Sequence, residues 1–422
     1  MTVNLTAKIS DLDPNNENLF RAQFSTSSDF TTDVTNSDSS TPDQFGLMKF
    51  RVSDLLENVK YFVRIVDVDL NPLDAYVGSF RTPSNGAHSF KFGFASCSWS
   101  GPRLQPPIFA SNQQIYDKIA DRAVNGEIEF FIHLGDMHYS DLISNKEADF
   151  QQTYDTVFSA SRQNNCWKNL PMYYMWDDHD YGPNDTSKEN PSRQAAIAAY
   201  RRRVPHPPSA KEGIEDSPYY SFVRGRVRFI VTDIRSEREP KGKYPSTDSR
   251  QQVFSADQKA WFFNEMLSAK NNNEVIVWAN TKPWVSSTAN LKDDWGGYHA
   301  ARMEIVDFIN TNQLNNRILV ISGDMHALAY DDGTSPNNYG SLKVCHAAAL
   351  DQEGRAKGGP YKIGPVIKDS GTGWVTQYGI IEVTDTGAQN VNIRFRGIAV
   401  SKTDPSLETT EIDTSFNLVA VQ

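Results

Sequence analysis

Six short apolar runs constrain most of this chain: FKFGFAS, IEFFIHL, PMYYMW, VRFIVTD, EVIVWAN and RILVISG, spread between Phe90 and Gly323. They are short enough, and rich enough in β-branched and aromatic residues, to read as buried strands. Between them lie NQQIYDKIADRAV, SRQAAIAAYRRRV, SADQKAWFFNEMLSA and AARMEIVDFINTN, which carry helical patterns. Ser255, followed by Asp257 and Gln258, reads as a helix start. Strands alternating with helices predict an α/β (layered α+β) domain with sheet sandwiched by helices. No internal repeat of fixed period competes with that reading.

Residues 1–85 have a different texture. STSSDFTTDVTNSDSSTPD is polar and turn-rich, while KYFVRIVDV and YVGSFRT alternate as half-buried strands do. This predicts a small N-terminal β-sandwich of fibronectin-III/Ig-like kind over 1–85, with RTPSNGAH as linker and a second domain over 86–422. A chain of 422 residues has ample length for both cores. Its formal charge of −10 argues against a stable nucleic-acid partner or an anionic membrane, the local exception being Arg201-Arg202-Arg203. No apolar run approaches a membrane span, and the protein is expected to be a monomer. MTVNLTAKISDLDPNN has no basic-then-apolar leader, so the expectation is a protein that stays inside or a leader already removed. The cysteines Cys97, Cys166 and Cys345 are odd in number and widely spaced, a poor disulfide framework.

The functional signal lies at the downstream end of five of these runs. FKFGFAS leads to Cys97, and IEFFIHLG to Asp136 with His138 and Tyr139 behind it. PMYYMW leads to Asp177-Asp178-His179-Asp180, EVIVWA to Asn280, and RILVISG to Asp324 and His326. Taken singly, each has an ordinary explanation: a buried cysteine, a rim aromatic, a Gly-Asp turn. Five runs ending in groups able to bind a cation or move a proton are better explained by convergence, because sites gather where strand carboxyl ends meet. Aspartates gathered in one place also repel one another unless cations intervene.

FASCS, HLGDMHY, MWDDHD, ANTKP and ISGDMH, in this order, resemble the alkaline phosphatase D-like (PhoD-like) branch of the calcineurin-type metallophosphoesterases. The resemblance covers about residues 89–400 and implies an αββα sandwich and a two-metal site. It implies Fe(III) on Cys97, Asp136, Tyr139 and His326, whose thiolate and phenolate suit a trivalent ion. It implies a second ion on Asp136, Asp178, Asn280 and Asp324, an all-oxygen set suited to Ca²⁺ or another hard divalent cation. Met137-His138, Ser140 and Asp180 depart from the commoner pattern, so His138 is a candidate extra ligand or substrate contact.

The function so implied is hydrolysis of phosphate monoesters, diesters or both by metal-bound hydroxide, with His179 as general acid. Asp177 or Asp180 would orient His179, a turn cap being the competing role for Asp180. Arg201, Arg235, Arg238 and Lys282 are candidate grips for a small-molecule, nucleotide or phospholipid ester, and DDWGGYH a candidate rim or lid. Two other classes stand beside this one: a hydrolase of another ester on the same metals, and a non-catalytic calcium-binding or adhesive protein.

Overall fold

The computed structural model describes residues 1–8, 18–73, 77–98, 110–205, 216–367, 376–404 and 406–421. Every apolar run of the sequence contains a strand: Phe90–Ala95, Phe130–His133, Met172–Tyr174, Val227–Val231, Val275–Asn280 and Ile318–Ser322. Three of them join a six-stranded sheet in the order Glu408–Val419, Asn390–Val400, Thr376–Thr384, Phe90–Ala95, Phe130–His133, Met172–Tyr174. The other three lie in a seven-stranded sheet. Its order is Tyr220–Arg224, Val227–Val231, Val275–Asn280, Ile318–Ser322, Lys343–Ala347, Leu328–Asp331, Ile363–Val366.

The two sheets bury their inner faces against each other in one core that holds Phe92, Phe130 and Ile381 from the first sheet and Phe229, Val277 and Ile321 from the second. Phe229 bridges the layers, meeting Phe92 and Phe130 edge-on at centroid distances of 5.3 and 5.6 Å. The outer face of the seven-stranded sheet packs Ile276, Trp278 and Val320 on Phe262 and Met266 of helix Ala256–Asn271 and on Ile305 and Ile309 of helix His299–Thr311. The outer face of the other sheet packs Phe131 and Ile380 on Ile119 of helix Ile115–Val124 and Cys166 of helix Ser161–Asn169. The result is the αββα layering expected. Burial on both faces is why Val275–Asn280 has no polar alternation: all its residues are buried. Ser255 caps its helix as read from the sequence, its side chain accepting a hydrogen bond from Gln258 N.

The N-terminal strands enclose a core of their own. Val3–Lys8 pairs with Leu47–Val52, a second sheet joins Thr35–Asn36, Arg21–Ser25, Lys60–Val66 and Gly78–Arg81, and Phe24, Phe50, Val52 and Ile65 meet between them. Lys8 reaches Asp155 at 2.6 Å and Arg202 reaches Asp43 at 3.2 Å, tying this unit to the helices beyond it. Among the described residues, no helix is long and apolar enough to cross a membrane.

Strand direction places the site. Phe90–Ala95, Phe130–His133 and Met172–Tyr174 run parallel, and so do Val227–Val231, Val275–Asn280, Ile318–Ser322 and Lys343–Ala347. Within each sheet their carboxyl ends therefore open on a common edge.

Candidate functional site

Three strand-end turns form the floor of the site. Cys97, Asp136 and Asp324 all adopt left-handed backbone, with φ of 65°, 53° and 68°. Such conformations persist in non-glycine residues only where the surroundings impose them. Here the turns are laced together: Cys97 N donates to Gly135 O at 3.0 Å, Ser98 N to Asp136 O at 2.7 Å, and Asp324 N to Ser96 Oγ at 3.0 Å. Gly135 is required twice over. Its φ is 88°, and a Cβ there would stand 2.5 Å from the backbone nitrogen of Asp177.

The turns bring four expected donors together. Cys97 Sγ lies 3.4 Å from Asp136 Oδ2, the Tyr139 hydroxyl donates to the same oxygen at 3.2 Å, and His326 Nε2 stands 3.2 Å from that hydroxyl. His326 Nδ1 donates to the Glu353 carbonyl at 2.7 Å, which leaves Nε2 with its lone pair toward the group. Burial lowers the His326 pKa to about 4, so its ring is neutral, as a ligand must be. Burial first, then the Asp136 charge, holds both the Cys97 thiol and the Tyr139 phenol well above their ordinary range. Both need a strong nearby cation to ionise. Donors about 2.0–2.3 Å from a shared ion stand roughly 3.3–3.8 Å apart in a tetrahedral shell, close to the spacings seen here.

Beside this group is a carboxylate pocket. Oxygens of Asp136, Asp177, Asp178 and Asp324 approach one another within 4.8 Å, and all four residues are buried. Lys282 Nζ sits among the acids, 2.8 Å from Asp324 Oδ1, 2.8 Å from Asp293 Oδ2, 3.1 Å from Asp177 Oδ2 and 3.4 Å from Asp178 Oδ1. Arg235 and Arg238 close the far side through Asp293, and Arg235 also holds Asp177 and, at 3.2 Å, Asp178. Burial and the neighbouring charge of Asp178 still push Asp136 well above the carboxylate range. The donors, thiol, phenol and imidazole on one side and carboxylates on the other, are chemically able to hold cations.

His179 lies over both groups. Its backbone N–H donates to Asp136 Oδ1 at 3.3 Å, and its ring stacks on Tyr139 with centroids 4.1 Å apart. Its Nδ1 is hydrogen-bonded to Asp141, not to the residues expected. Burial alone would lower its pKa, but Asp136, Asp178 and Asp141 outweigh burial and raise it to about 9. The expectation that Asp177 or Asp180 orients His179 is therefore corrected. Asp180 instead accepts backbone N–H bonds from Asp136 at 2.6 Å, Met137 at 2.8 Å, His138 at 3.2 Å and Asp177 at 3.0 Å. It forms the turn and, with Asp177, a capping box at the helix Asp178–Tyr181.

Other expected residues have different tasks as well. His138 is fully buried, edge-on to Tyr154 with Nε2 3.8 Å from Asp180, so it faces the packing behind the turn and not a substrate. Arg201 donates to the Asp216 and Ser217 carbonyls at 3.1 and 2.7 Å and braces a chain segment. The stretch AYRRRVPHPP that contains Arg201 runs on to His206–Pro208, which lie outside the described residues. Arg235 is fully buried beneath the acids, positioned to hold them and not to grip a substrate. Asn280 donates to Lys282 O at 2.8 Å and accepts from Trp295 Nε1 at 3.0 Å, so its amide links the strand end to the DDWGGYH segment.

Asp141 and Asp293 are the site residues that sequence reasoning missed. Asp141 stands two places after Tyr139, and Asp293 opens the pair in DDWGGYH, so an acid beside each motif was the available signal. The cluster opens on a cleft of about 320 Å³ lined in part by Asp293, Asp324, Lys357 and Arg355.

Comparison with known proteins points the same way. The sequence model of the PhoD-like phosphatases matches residues 92–344. Alkaline phosphatase D of Bacillus subtilis (strain 168) is 29% identical over 183 residues, 37% of this chain and 31% of that protein, so the match spans about a third of the relative's length. A solved structure of PhoD superposes with a TM-score of 0.75 at 17% identity, covering 99% of this chain and 88% of the other. A purple acid phosphatase from yellow lupin (Lupinus luteus) seeds gives 0.61 at 10% identity, covering 99% and 72%. Both structures share the fold.

Proposed function

Because the chain belongs to the PhoD-like phosphatase family, we propose that it hydrolyses phosphate esters at the strand-end cluster, with His179 as general acid. Cys97, Asp136, Tyr139 and His326 would hold one cation, for which their donors favour Fe(III). Asp136, Asp178 and Asp324 would hold a second, hard divalent ion such as Ca²⁺. When bound, the cations supply Lewis acidity, offsetting phosphoryl charge and making water a better nucleophile.

The chain's own residues do the rest. Asp141 holds Nδ1–H of His179 and stabilises the imidazolium, leaving the Nε2 proton for transfer. As the water oxygen bonds to phosphorus and the ester P–O bond breaks, that proton goes to the leaving alkoxide. The ring is kept in place by Tyr139 beneath it and by its own backbone bond to Asp136. Lys282, Arg235 and Arg238 hold the acids at fixed spacing.

The observation that carries this reading is the juxtaposition of a charged His179–Asp141 pair with the buried thiol, phenol, imidazole and carboxylate donors. His179→Ala is expected to retain both metals and lose turnover, by roughly 100-fold or more on an alkyl phosphate. The loss should be much smaller on nitrophenyl phosphate, whose phenolate departs with little help. Equal losses on the two esters, measured with metal content unchanged, would remove His179 from that role.

A further inference from the structure

Resting on the phosphatase reading above, we propose that the cleft beside the acids contains a second anion subsite, formed by Arg355 and Lys292, for substrates that carry another phosphoryl group besides the one cleaved. The cleft of about 320 Å³ is lined by Lys241, Lys292, Lys357 and Arg355 as well as by Asp185, Asp293, Asp294 and Asp324. That is the lower end of the size range of sites that hold a whole small molecule, and more than one phosphoryl group needs.

Its charges do not cancel uniformly. Lys241 pairs with Asp185, Lys357 with Asp324 at 2.6 Å, and Asp293 is shared by Arg235, Arg238 and Lys282. Two lining cations form no ion pair among the described residues. Lys292 Nζ donates to Ser286 Oγ at 2.9 Å, Ser287 O at 3.0 Å and Ser287 Oγ at 2.9 Å, and lies in the field of the Asp294 carboxylate. The exposed Arg355 guanidinium has no ion pair or hydrogen bond among the described residues.

Arg355 is nonetheless well anchored. Its backbone N–H donates to His326 O at 3.1 Å, and Glu353 O two residues earlier accepts from His326 Nδ1 at 2.7 Å. Two residues beyond Lys357, Gly359 N donates to Val285 O at 2.7 Å. The guanidinium is thus carried on a segment fixed to a proposed metal ligand, with its charge uncommitted. A planar fork of donors beside an ammonium matches a phosphoryl dianion, whose oxygens accept from both. Of the lining acids, Asp185, Asp293 and Asp324 are countered by the lysines and arginines named above, and the buried Asp294 accepts from Gly296 N at 2.8 Å and is offset by Lys292.

The test compares a diol bisphosphate with the matching diol monophosphate as substrates of the purified full chain in its metal-containing form. Wild type is expected to show a kcat/KM roughly tenfold or more higher for the bisphosphate, the scale of one or two charge-assisted contacts. Arg355→Ala should lose at least about tenfold more on the bisphosphate than on the monophosphate, through KM, with Lys292→Ala following and Arg355→Lys recovering part. Wild type that turns over both esters equally, or an Arg355→Ala loss equal on the two, overturns the subsite and leaves the phosphatase reading standing. Wild type inactive on both overturns the two together.

Discussion

Lys282 is the residue whose environment is most costly and therefore most informative. An ammonium only 1% exposed, among four carboxylates, exists because those carboxylates are fixed there by the folds of three separate segments. Lys282→Met leaves the acids facing one another, and after chelation the variant should be less stable by on the order of 3–5 kcal/mol. Added Ca²⁺ should raise its melting temperature more than that of wild type, because an external cation then takes over the charge that the lysine supplied. Equal shifts would separate the lysine from the cation pocket.

A second residue-scale prediction concerns acid stability. His133 is buried beside Trp167 and Tyr174, and burial lowers its pKa to about 3. The unfolded chain takes up this proton near pH 6.5 and the folded chain does not. Its contribution is therefore fully present above pH 6.5 and is lost as pH falls from there toward 3. At pH 5 the loss is about 2 kcal/mol. His133→Gln should flatten the decline in urea midpoint between pH 7 and 5 by roughly one proton's worth, and an unchanged slope would contradict this.

At the scale of elements, the decisive units are the strand-to-turn junctions. The sequence made them legible because a parallel strand buried on both faces is an unbroken apolar run, and its end is marked by an abrupt polar group. Cys97, Asp136, Tyr139, Asp178, Asp324 and His326 were found that way. What the pattern hid was tertiary. Asp141 and Asp293 belong to no run, and Asp180 looked like a catalytic neighbour of His179 although its carboxylate is consumed by backbone N–H groups. Among the C-terminal strands, Asn390–Val400 escaped for a related reason: it begins as an alternating, half-exposed strand and not an apolar block. The Gly135 turn is the sharpest test of the junctions. Gly135→Ala should cost roughly 1–2 kcal/mol from backbone alone, and more from the clash with Asp177. It should also lower metal content in elemental analysis, because Asp136 moves with the turn. Full metal retention would show that the turn does not set the donor geometry.

For the whole molecule, two sheets contribute opposite halves of one centre. Cys97, Asp136 and Asp178 follow strands of the six-stranded sheet, and Asp324 and His326 follow a strand of the seven-stranded sheet. The shared aromatic core fixes the two edges against each other, and the buried cations lock the acids that meet there. On the proposed function, the donors that converge across the sandwich serve to hold ions. The most direct measurement is release of inorganic phosphate from a phosphomonoester by the purified protein before chelation, after it, and after a hard divalent ion is returned. Chelation is expected to reduce the rate by roughly 100-fold or more, and Ca²⁺ or a comparable ion to restore it. A chelated protein that releases phosphate at its original rate would contradict a metal-dependent centre.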